Sequence, residues 1–156
     1  MSYIKLDPVD HFELAREVKL IADQWPPIPG QLMVQGTEGH VDPSYGTGRV
    51  AEFEHEEKDF TCFLHDTPYL NSLVKKYGMY RTRIMTMGKM CYSWHCDETA
   101  RIHIPVYSLH EYNFMVIEND VIRMPVGDAY WTDTTMMHTY VNTIDTVRTH
   151  IVGCVK

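Results

Sequence analysis

The chain has 156 residues and a net charge of −7, and its length is enough for one domain with an apolar core, spanning 1–156. The charge argues against nucleic acid as a partner, and no apolar run approaches a membrane span, so we expect no membrane partner either. Residues 1–10 show no basic-then-apolar secretion signal, so we expect a cytoplasmic location and reduced thiols at the four cysteines.

The first half of the chain predicts two helices joined by loops. Apolar residues recur at helical spacing over Pro8–Asp23, and three prolines within Trp25–Gly30 prevent that helix from continuing. Gln31–Gly48 is rich in glycine and indicates strand or loop. A second helix is predicted over Thr67–Tyr77, with Gly78 as its C-terminal stop.

From Tyr80 onward, short strands separated by turn residues replace the helices. About eight short strands at this spacing favour a jelly-roll or barrel-like sandwich. The predicted fold is therefore mainly β with N-terminal helices, in which residues 1–79 form a helical or irregular support and residues 80–156 form the β core. The predicted strands are Arg81–Met87, Tyr92–Asp97, Ala100–Ser108, Tyr112–Glu118, Val121–Met124, Ala129–Thr132, Thr139–Ile144 and Val147–Val155.

A His-x-Asp motif at His95 and Asp97 precedes a distant His138, and this order has a specific chemical meaning. Residues i and i+2 of a strand project to the same side, so His95 and Asp97 would point together. Two imidazoles and one carboxylate on one face of an iron ion leave positions open for a co-substrate and for oxygen. We therefore predict that His95, Asp97 and His138 are the metal ligands and the catalytic centre.

Arg148 follows His138 by ten residues and completes the pattern. A guanidinium binds a carboxylate through two parallel hydrogen bonds, which suits the far carboxylate of a keto acid. The strand over Val147–Val152 would place Arg148 and His150 on one face. The pattern predicts a non-haem Fe(II) centre that uses 2-oxoglutarate and O₂, and hence an oxygenase.

A second His-x-Asp motif, His40 and Asp42, lies among turn-forming residues. The downstream histidine that would complete it is His95, and the residue ten positions further on is Pro105 in place of an arginine. We therefore interpret His40 and Asp42 as loop residues.

The C-terminal half carries a set of motifs at specific spacing: Trp94–Asp97, Arg101–Pro105, Gly127–Trp131, Asp133, His138 with Asn142, and Arg148. With these motifs the stretch from about Met85 to Lys156 resembles the aspartyl/asparaginyl β-hydroxylase-like branch of the 2-oxoglutarate and Fe(II) dioxygenases. That branch includes free-proline cis-hydroxylases.

The resemblance implies a double-stranded β-helix, a jelly-roll of the cupin-like kind. Members hydroxylate an unactivated C–H bond and convert 2-oxoglutarate and O₂ to succinate and carbon dioxide. It also implies that His103 and Arg148 bind 2-oxoglutarate and that Arg101 faces the substrate. Trp131 lies where an aromatic ring could form a wall of the substrate pocket.

The substrate is expected to be an amino acid or an amino-acid residue, either a small molecule or part of a peptide. Arg101 hints that it carries a carboxylate. Two other functions are compatible with the fold: a cupin-like metal enzyme that needs no keto acid, and a non-catalytic module that binds a metal, small molecule or peptide. In the first of these, Arg148 would have no co-substrate to hold, and the intact ligand set argues against the second.

Overall fold

A computed structural model of the chain describes residues 1–25 and 30–156, and the three prolines predicted to end the first helix lie outside them. The helices are α1 (His11–Ala22) and α2 (Pro68–Lys76). The strands are β1 (Tyr3–Pro8), β2 (Gln31–Met33), β3 (Gln35–Gly36), β4 (Cys62–Phe63), β5 (Tyr80–Met87), β6 (Met90–Cys91), β7 (Arg101–Tyr107), β8 (Asn113–Ile117), β9 (Asp120–Ile122), β10 (Asp128–Thr132), β11 (His138–Asn142) and β12 (Arg148–Cys154).

Two antiparallel sheets form the body of the described chain. The larger has the strand order β1-β10-β7-β12-β5-β2, and the smaller has the order β6-β11-β8-β9. A short third sheet pairs β3 with β4. The chain is thus mainly β with two helices, consistent with the predicted jelly-roll.

The larger sheet buries a different set of side chains on each face, as expected for alternating strand residues. One face packs against the helices through an apolar cluster that includes Leu14, Val18, Leu70, Ile104 and Ile151. The other face meets the smaller sheet through a second cluster: Met87, Met115, Ile117, Ile122, Met124, Tyr130 and Tyr140.

Both helices fall within the predicted ranges, and local contacts explain their ends. The Asp10 carboxylate accepts a hydrogen bond from the Glu13 backbone N–H and caps the start of α1. Gly78 follows α2 with a φ of +62°, a conformation that glycine adopts without steric cost. Neither helix of the described ranges has the length and apolarity that crossing a membrane requires.

Residues 1–79, expected to be helical or irregular, also contribute strands to the larger sheet. β1 pairs with β10 at one edge, and β2 pairs with β5 at the other. In β1, Ile4 and Leu6 alternate with Lys5 and Asp7, but the strand is short and its side chains are mostly exposed.

The predicted strand over Tyr92–Asp97 is wrong, because only His95 forms a ladder bridge there, to His138. The Tyr92 N–H instead donates to the Tyr140 carbonyl, and the Asp97 N–H donates to the Thr134 carbonyl. Tyr92 and His95 are therefore bonded to β11 at separate points, whereas Asp97 is bonded to Thr134, outside that strand. The other seven predicted strands correspond to β5 and to β7 through β12, with shifts at their ends.

Candidate metal centre

The structure brings His95, Asp97 and His138 together at one point. One ligand atom from each residue lies within 4.8 Å of the other two. His95 Nε2 lies 3.9 Å from Asp97 Oδ1, and His138 Nε2 lies 3.7 Å from Asp97 Oδ2. His138 is buried, Asp97 is half-buried and His95 is exposed, so the three ligands lie at the border between the protein interior and solvent.

Backbone hydrogen bonds fix the position of the two histidines. The His95 N–H donates to the His138 carbonyl at 3.1 Å, and the His138 N–H donates back to the His95 carbonyl at 2.9 Å. This reciprocal pair holds the two ring centroids 4.3 Å apart. The start of β11 therefore supplies one ligand and determines the place of the other.

Side-chain hydrogen bonds determine which imidazole nitrogen faces the centre. His95 Nδ1 lies 2.7 Å from the Ser93 carbonyl, and His138 Nδ1 lies 2.9 Å from the Met136 carbonyl. A carbonyl can only accept, so each Nδ1 carries a proton, and Nε2 is the nitrogen of each ring that can present a lone pair. Burial lowers the pKa of His138 below its ordinary value, which keeps this imidazole neutral. The Nδ1 contacts thus orient both rings with Nε2 directed away from the backbone carbonyl and available to a metal.

Arg101 contacts the third ligand. Its Nε lies 3.3 Å from Asp97 Oδ2, and its Nη2 lies 3.0 Å from Glu57 Oε1. Nη1 also donates to the Thr99 hydroxyl and to the Thr99 carbonyl. The guanidinium that was expected to face the substrate is therefore bonded to two carboxylates of the protein.

Glu57 is a residue of the site that the sequence did not indicate. It lies in a short 3-10 helix and pairs with Arg81 at 2.9 Å as well as with Arg101. Burial alone would raise the pKa of Glu57, but the Arg101 and Arg81 guanidiniums outweigh it and hold the pKa below its ordinary value. That helix lies in the long loop between β3 and β4, distant in sequence from the His-x-Asp motif, so only the tertiary structure shows the role of Glu57.

Arg148 is 2% exposed, and its guanidinium has few partners. Nη2 donates weakly to Met87 Sδ at 3.6 Å, and the group lies 4.1 Å from the centroid of the Tyr140 ring. Nε and Nη1 have no hydrogen-bond partner within the described residues. A buried cation with unused donors is able to bind an anion.

His103 and His150 lie near Arg148 and are both buried. Their Nδ1 atoms are 3.3 Å apart, so one ring donates a hydrogen bond and the other accepts it. Burial, with the positive charge of Arg148 added, lowers the pKa of both histidines well below its usual range. Because both imidazoles are neutral, Arg148 carries the positive charge of this group of three side chains.

A cavity of about 590 Å³ joins these groups. Its wall includes the three candidate ligands together with His103 and Arg148, and Arg101 and Glu57 also line it. The cavity has the size of a small-molecule site. The metal ligands and the predicted 2-oxoglutarate-binding residues thus share one cavity, which is open to solvent.

Trp131 is not brought to this cavity. It lies on β10 and packs against the apolar cluster between the larger sheet and the helices, whereas its neighbour Tyr130 faces the other sheet. His40 and Asp42 lie in a loop, as interpreted from the sequence. His40 contacts the Thr37 hydroxyl, and Asp42 accepts hydrogen bonds from Ser44.

Comparison with solved structures identifies proteins of similar fold. The viral collagen prolyl hydroxylase vCPH from Paramecium Bursaria Chlorella virus-1, solved as a 2OG complex, is 11% identical with a TM-score of 0.53; the match covers 100% of this chain and 97% of that chain. A truncated form of that hydroxylase has a TM-score of 0.56 at 11% identity, covering 100% of this chain and 91% of that one. The non-haem monooxygenase ThoJ, as a Ni complex, has a TM-score of 0.52 at 11% identity, covering 97% of this chain and 72% of that one.

These similarities show that the chain shares the fold of a prolyl hydroxylase and of a non-haem monooxygenase. No protein-family model matches the sequence, and a search of curated proteins found no relative.

Proposed function

We propose that this protein is an Fe(II)- and 2-oxoglutarate-dependent dioxygenase that hydroxylates an amino acid or an amino-acid residue. We place it in the aspartyl/asparaginyl β-hydroxylase-like branch, with a double-stranded β-helix as its core. One observation carries the proposal: the His95, Asp97 and His138 cluster and the unpaired, buried Arg148 line the same cavity.

The three candidate ligands fit iron in number and type. Two neutral imidazoles and one carboxylate form the facial set that leaves open positions on Fe(II). The Nδ1 hydrogen bonds of His95 and His138 orient both rings before any metal arrives. When bound, iron would activate O₂ for the oxidation of a C–H bond, and the keto acid would provide two of the electrons that reduce O₂.

Arg148 fits the far carboxylate of 2-oxoglutarate. Leaving a buried polar group without a partner costs roughly 1–3 kcal/mol, and more for a charged one. A carboxylate that accepts from Nη1 and from Nη2, which now has only the weak contact with Met87 Sδ, would lower that cost and form the bidentate pair. The neutral His103 lines the same cavity and would add a hydrogen bond to the co-substrate without adding charge.

Arg101 acts, in this proposal, on the metal ligand and not directly on the substrate. Its contact with Asp97 Oδ2 fixes the orientation of that carboxylate, and Glu57 holds Arg101 in place. Arg101 and His138 lie near Asp97 Oδ2, whereas His95 lies near Oδ1. Arg101 is therefore a positioning residue for the metal centre.

The test is the formation of succinate from 2-oxoglutarate under air, with Fe(II) added and then omitted. We expect iron-dependent succinate formation, accelerated when a substrate is present, and loss of this activity in His138→Ala. The matched control is His40→Ala, which alters the other His-x-Asp motif and should keep full activity. Succinate formation that survives in His138→Ala, or that fails in the iron-loaded wild type, would disprove the proposal.

A further inference from the structure

Four buried arginines line the cavity, and they differ in their partners. Arg81 and Arg101 share the Glu57 carboxylate, and Arg101 also contacts Asp97. Arg81 Nη2 donates in addition to the carbonyls of Gly46 and Gly48. These two guanidiniums are therefore engaged within the protein.

Arg83 is different, although it is only 6% exposed. Its Nη1 donates to the neutral Gln31 Oε1 at 3.3 Å, and its Nε has no hydrogen-bond partner within residues 1–25 and 30–156. No carboxylate of these ranges forms an ion pair with it. Burial, together with the neighbouring Arg81, lowers the pKa of Arg83 to about 10. The nearby Glu57 carboxylate offsets part of this charge without bonding to it, so Arg83 keeps an unpartnered Nε and has no carboxylate in direct contact.

Arg83 and Arg148 lie at different ends of the cavity. In the register of β5 with β12, Arg83 is opposite Val152, whereas Arg148 is opposite Met87. That offset of four residues separates the two backbone positions by about 13 Å along the strands. The side chains also reach different neighbours, since Arg148 packs on the Tyr140 ring and Arg83 extends to Gln31. The co-substrate proposed for Arg148 therefore leaves Arg83 without an anion.

Gln31 adds donors at the same end. Its Oε1 accepts from the Gly48 N–H at 3.0 Å as well as from Arg83, which fixes the orientation of the amide. The Gln31 Nε2 protons make no hydrogen bond within the described part of the chain. Arg83 Nε and the Gln31 amide thus offer donors on one wall of a cavity of small-molecule size.

We infer that Arg83 binds a free carboxylate on the substrate, so that the enzyme acts on a small carboxylic acid and not on an internal residue of a protein. The identification of the bound acid as the substrate rests on the proposed function; the anion site itself rests on Arg83 and Gln31 and does not depend on that function. The inference moves the carboxylate-binding role from Arg101, which is bonded to Glu57 and Asp97, to Arg83.

The test follows the arginine Nε–H resonances of the ¹⁵N-labelled full chain by NMR, first without additions and then with Zn(II) and 2-oxoglutarate. Resonances are assigned by through-bond correlation to the backbone, so no variant needs to fold; Arg83→Lys provides a second assignment by loss of its peak. The probes are acetate, its neutral isostere acetamide, and triglycine, which carries a carboxylate on a longer chain. The internal control is Arg16, exposed on α1 and paired with Glu13.

We expect acetate to shift the Arg83 resonance until the site is saturated, and by at least ten times the shift of the Arg16 resonance. This should hold both without additions and with Zn(II) and 2-oxoglutarate present. Acetamide should leave Arg83 unchanged, and triglycine should shift it less than acetate. An Arg83 shift no larger than that of Arg16, or an equal shift with acetamide, would overturn the carboxylate site. A shift with triglycine as large as that with acetate would overturn the restriction to small molecules.

The same spectra separate this inference from the proposed function. If 2-oxoglutarate shifts Arg148 but acetate fails at Arg83, the inference is wrong and the proposed co-substrate stands. If acetate shifts Arg83 while 2-oxoglutarate leaves Arg148 unchanged, the anion site is supported and the co-substrate assignment fails.

Discussion

The carboxylate of Glu57 lies between two buried guanidiniums, Arg81 and Arg101, and Arg101 continues the chain of contacts to Asp97. One loop residue therefore affects both the fold around the cavity and the orientation of a candidate metal ligand. The interaction is largely shielded from water, because the three charged side chains are between 4% and 11% exposed.

Glu57→Gln should destabilise the protein by about 3 kcal/mol, because it leaves two buried arginines without their shared counter-charge. Urea denaturation measures the free energy of unfolding. The matched control is Glu56→Gln, an exposed neighbour paired with the exposed Lys58, which should change that free energy by less than about 1 kcal/mol. Equal effects from the two substitutions would show that the Glu57 pairs contribute little.

The contribution of Glu57 also depends on pH. Its folded pKa is depressed below the ordinary value of 4.5, so the ionised form is favoured in the folded state. Its contribution to stability is full well above pH 4.5 and is lost as the pH falls through the folded pKa. The difference in unfolding free energy between wild type and Glu57→Gln should therefore shrink on acidification below that pH. A difference that grows on acidification contradicts the assignment.

Arg148 gives a second test at the level of one side chain. Arg148→Lys keeps the positive charge but loses the planar pair of donors. We expect the KM for 2-oxoglutarate to rise about ten- to a hundredfold, the equivalent of a charged hydrogen bond of roughly 1.5–3 kcal/mol, with little change in iron affinity. Steady-state kinetics and metal titration measure the two quantities, with the exposed Arg16→Lys as control. Iron affinity that falls as much as the KM rises would instead indicate a general structural defect.

At the level of secondary structure, one buried carboxylate joins the two helices. Glu17 on α1 is 1% exposed, and its two oxygens accept hydrogen bonds from the Tyr69 and Leu70 backbone N–H groups at the start of α2. These groups have no partner inside α2, and a negative charge favours the N-terminal end of a helix. The pair of helices that covers the larger sheet is thus connected through a polar contact within its apolar layer.

Glu17→Ala should lower the free energy of unfolding by about 2 kcal/mol, since it leaves one buried and one half-buried N–H group without their acceptor. Glu13→Ala is the control, because Glu13 lies one turn earlier on α1 and its ion pair with Arg16 is exposed. Chemical denaturation followed by circular dichroism measures the free energy of unfolding of both variants. A Glu17→Ala protein as stable as Glu13→Ala would mean that α2 does not depend on this contact.

Some elements were predictable from the sequence for clear physical reasons. The strands of the second half alternate in side-chain type and are separated by turn residues, so β5 and β7 through β12 follow the expected order. β1 was missed because it is a short, mostly exposed segment at the edge of the sheet, and its pairing with β10 is a long-range contact. Tyr92–Asp97 has strand-like composition, yet its peptide groups bond to β11 and to Thr134 separately, which no local pattern shows.

The same division holds for the site. The order and spacing of His95, Asp97, His138 and Arg148 predicted residues that the fold brings to one cavity. Glu57 could not be predicted, because it precedes Arg101 by 44 residues and lies in a loop. The contrast between the engaged Arg101 and the unpaired Arg83 also requires the tertiary structure, since both arginines look alike in the sequence.

Taken as a whole, the molecule combines a negative surface with a positive cavity. The chain carries a net charge of −7, yet four buried arginines line the cavity. Burying four guanidiniums lowers the free energy of unfolding, and anions that bind to the folded protein raise it again. This distribution of charge favours anions, and the proposed 2-oxoglutarate and carboxylate substrate are both anions.

The most direct test of the central claim is an anaerobic titration of the Fe(II)-loaded full chain with 2-oxoglutarate. Visible charge-transfer absorption reports coordination of the keto acid to iron, and calorimetry reports the stoichiometry. We predict one iron and one 2-oxoglutarate per chain, with 2-oxoglutarate binding weakened about tenfold or more in Arg148→Ala and iron binding lost in His138→Ala. Iron that binds while 2-oxoglutarate does not, or 2-oxoglutarate that binds equally well to Arg148→Ala, would contradict the account.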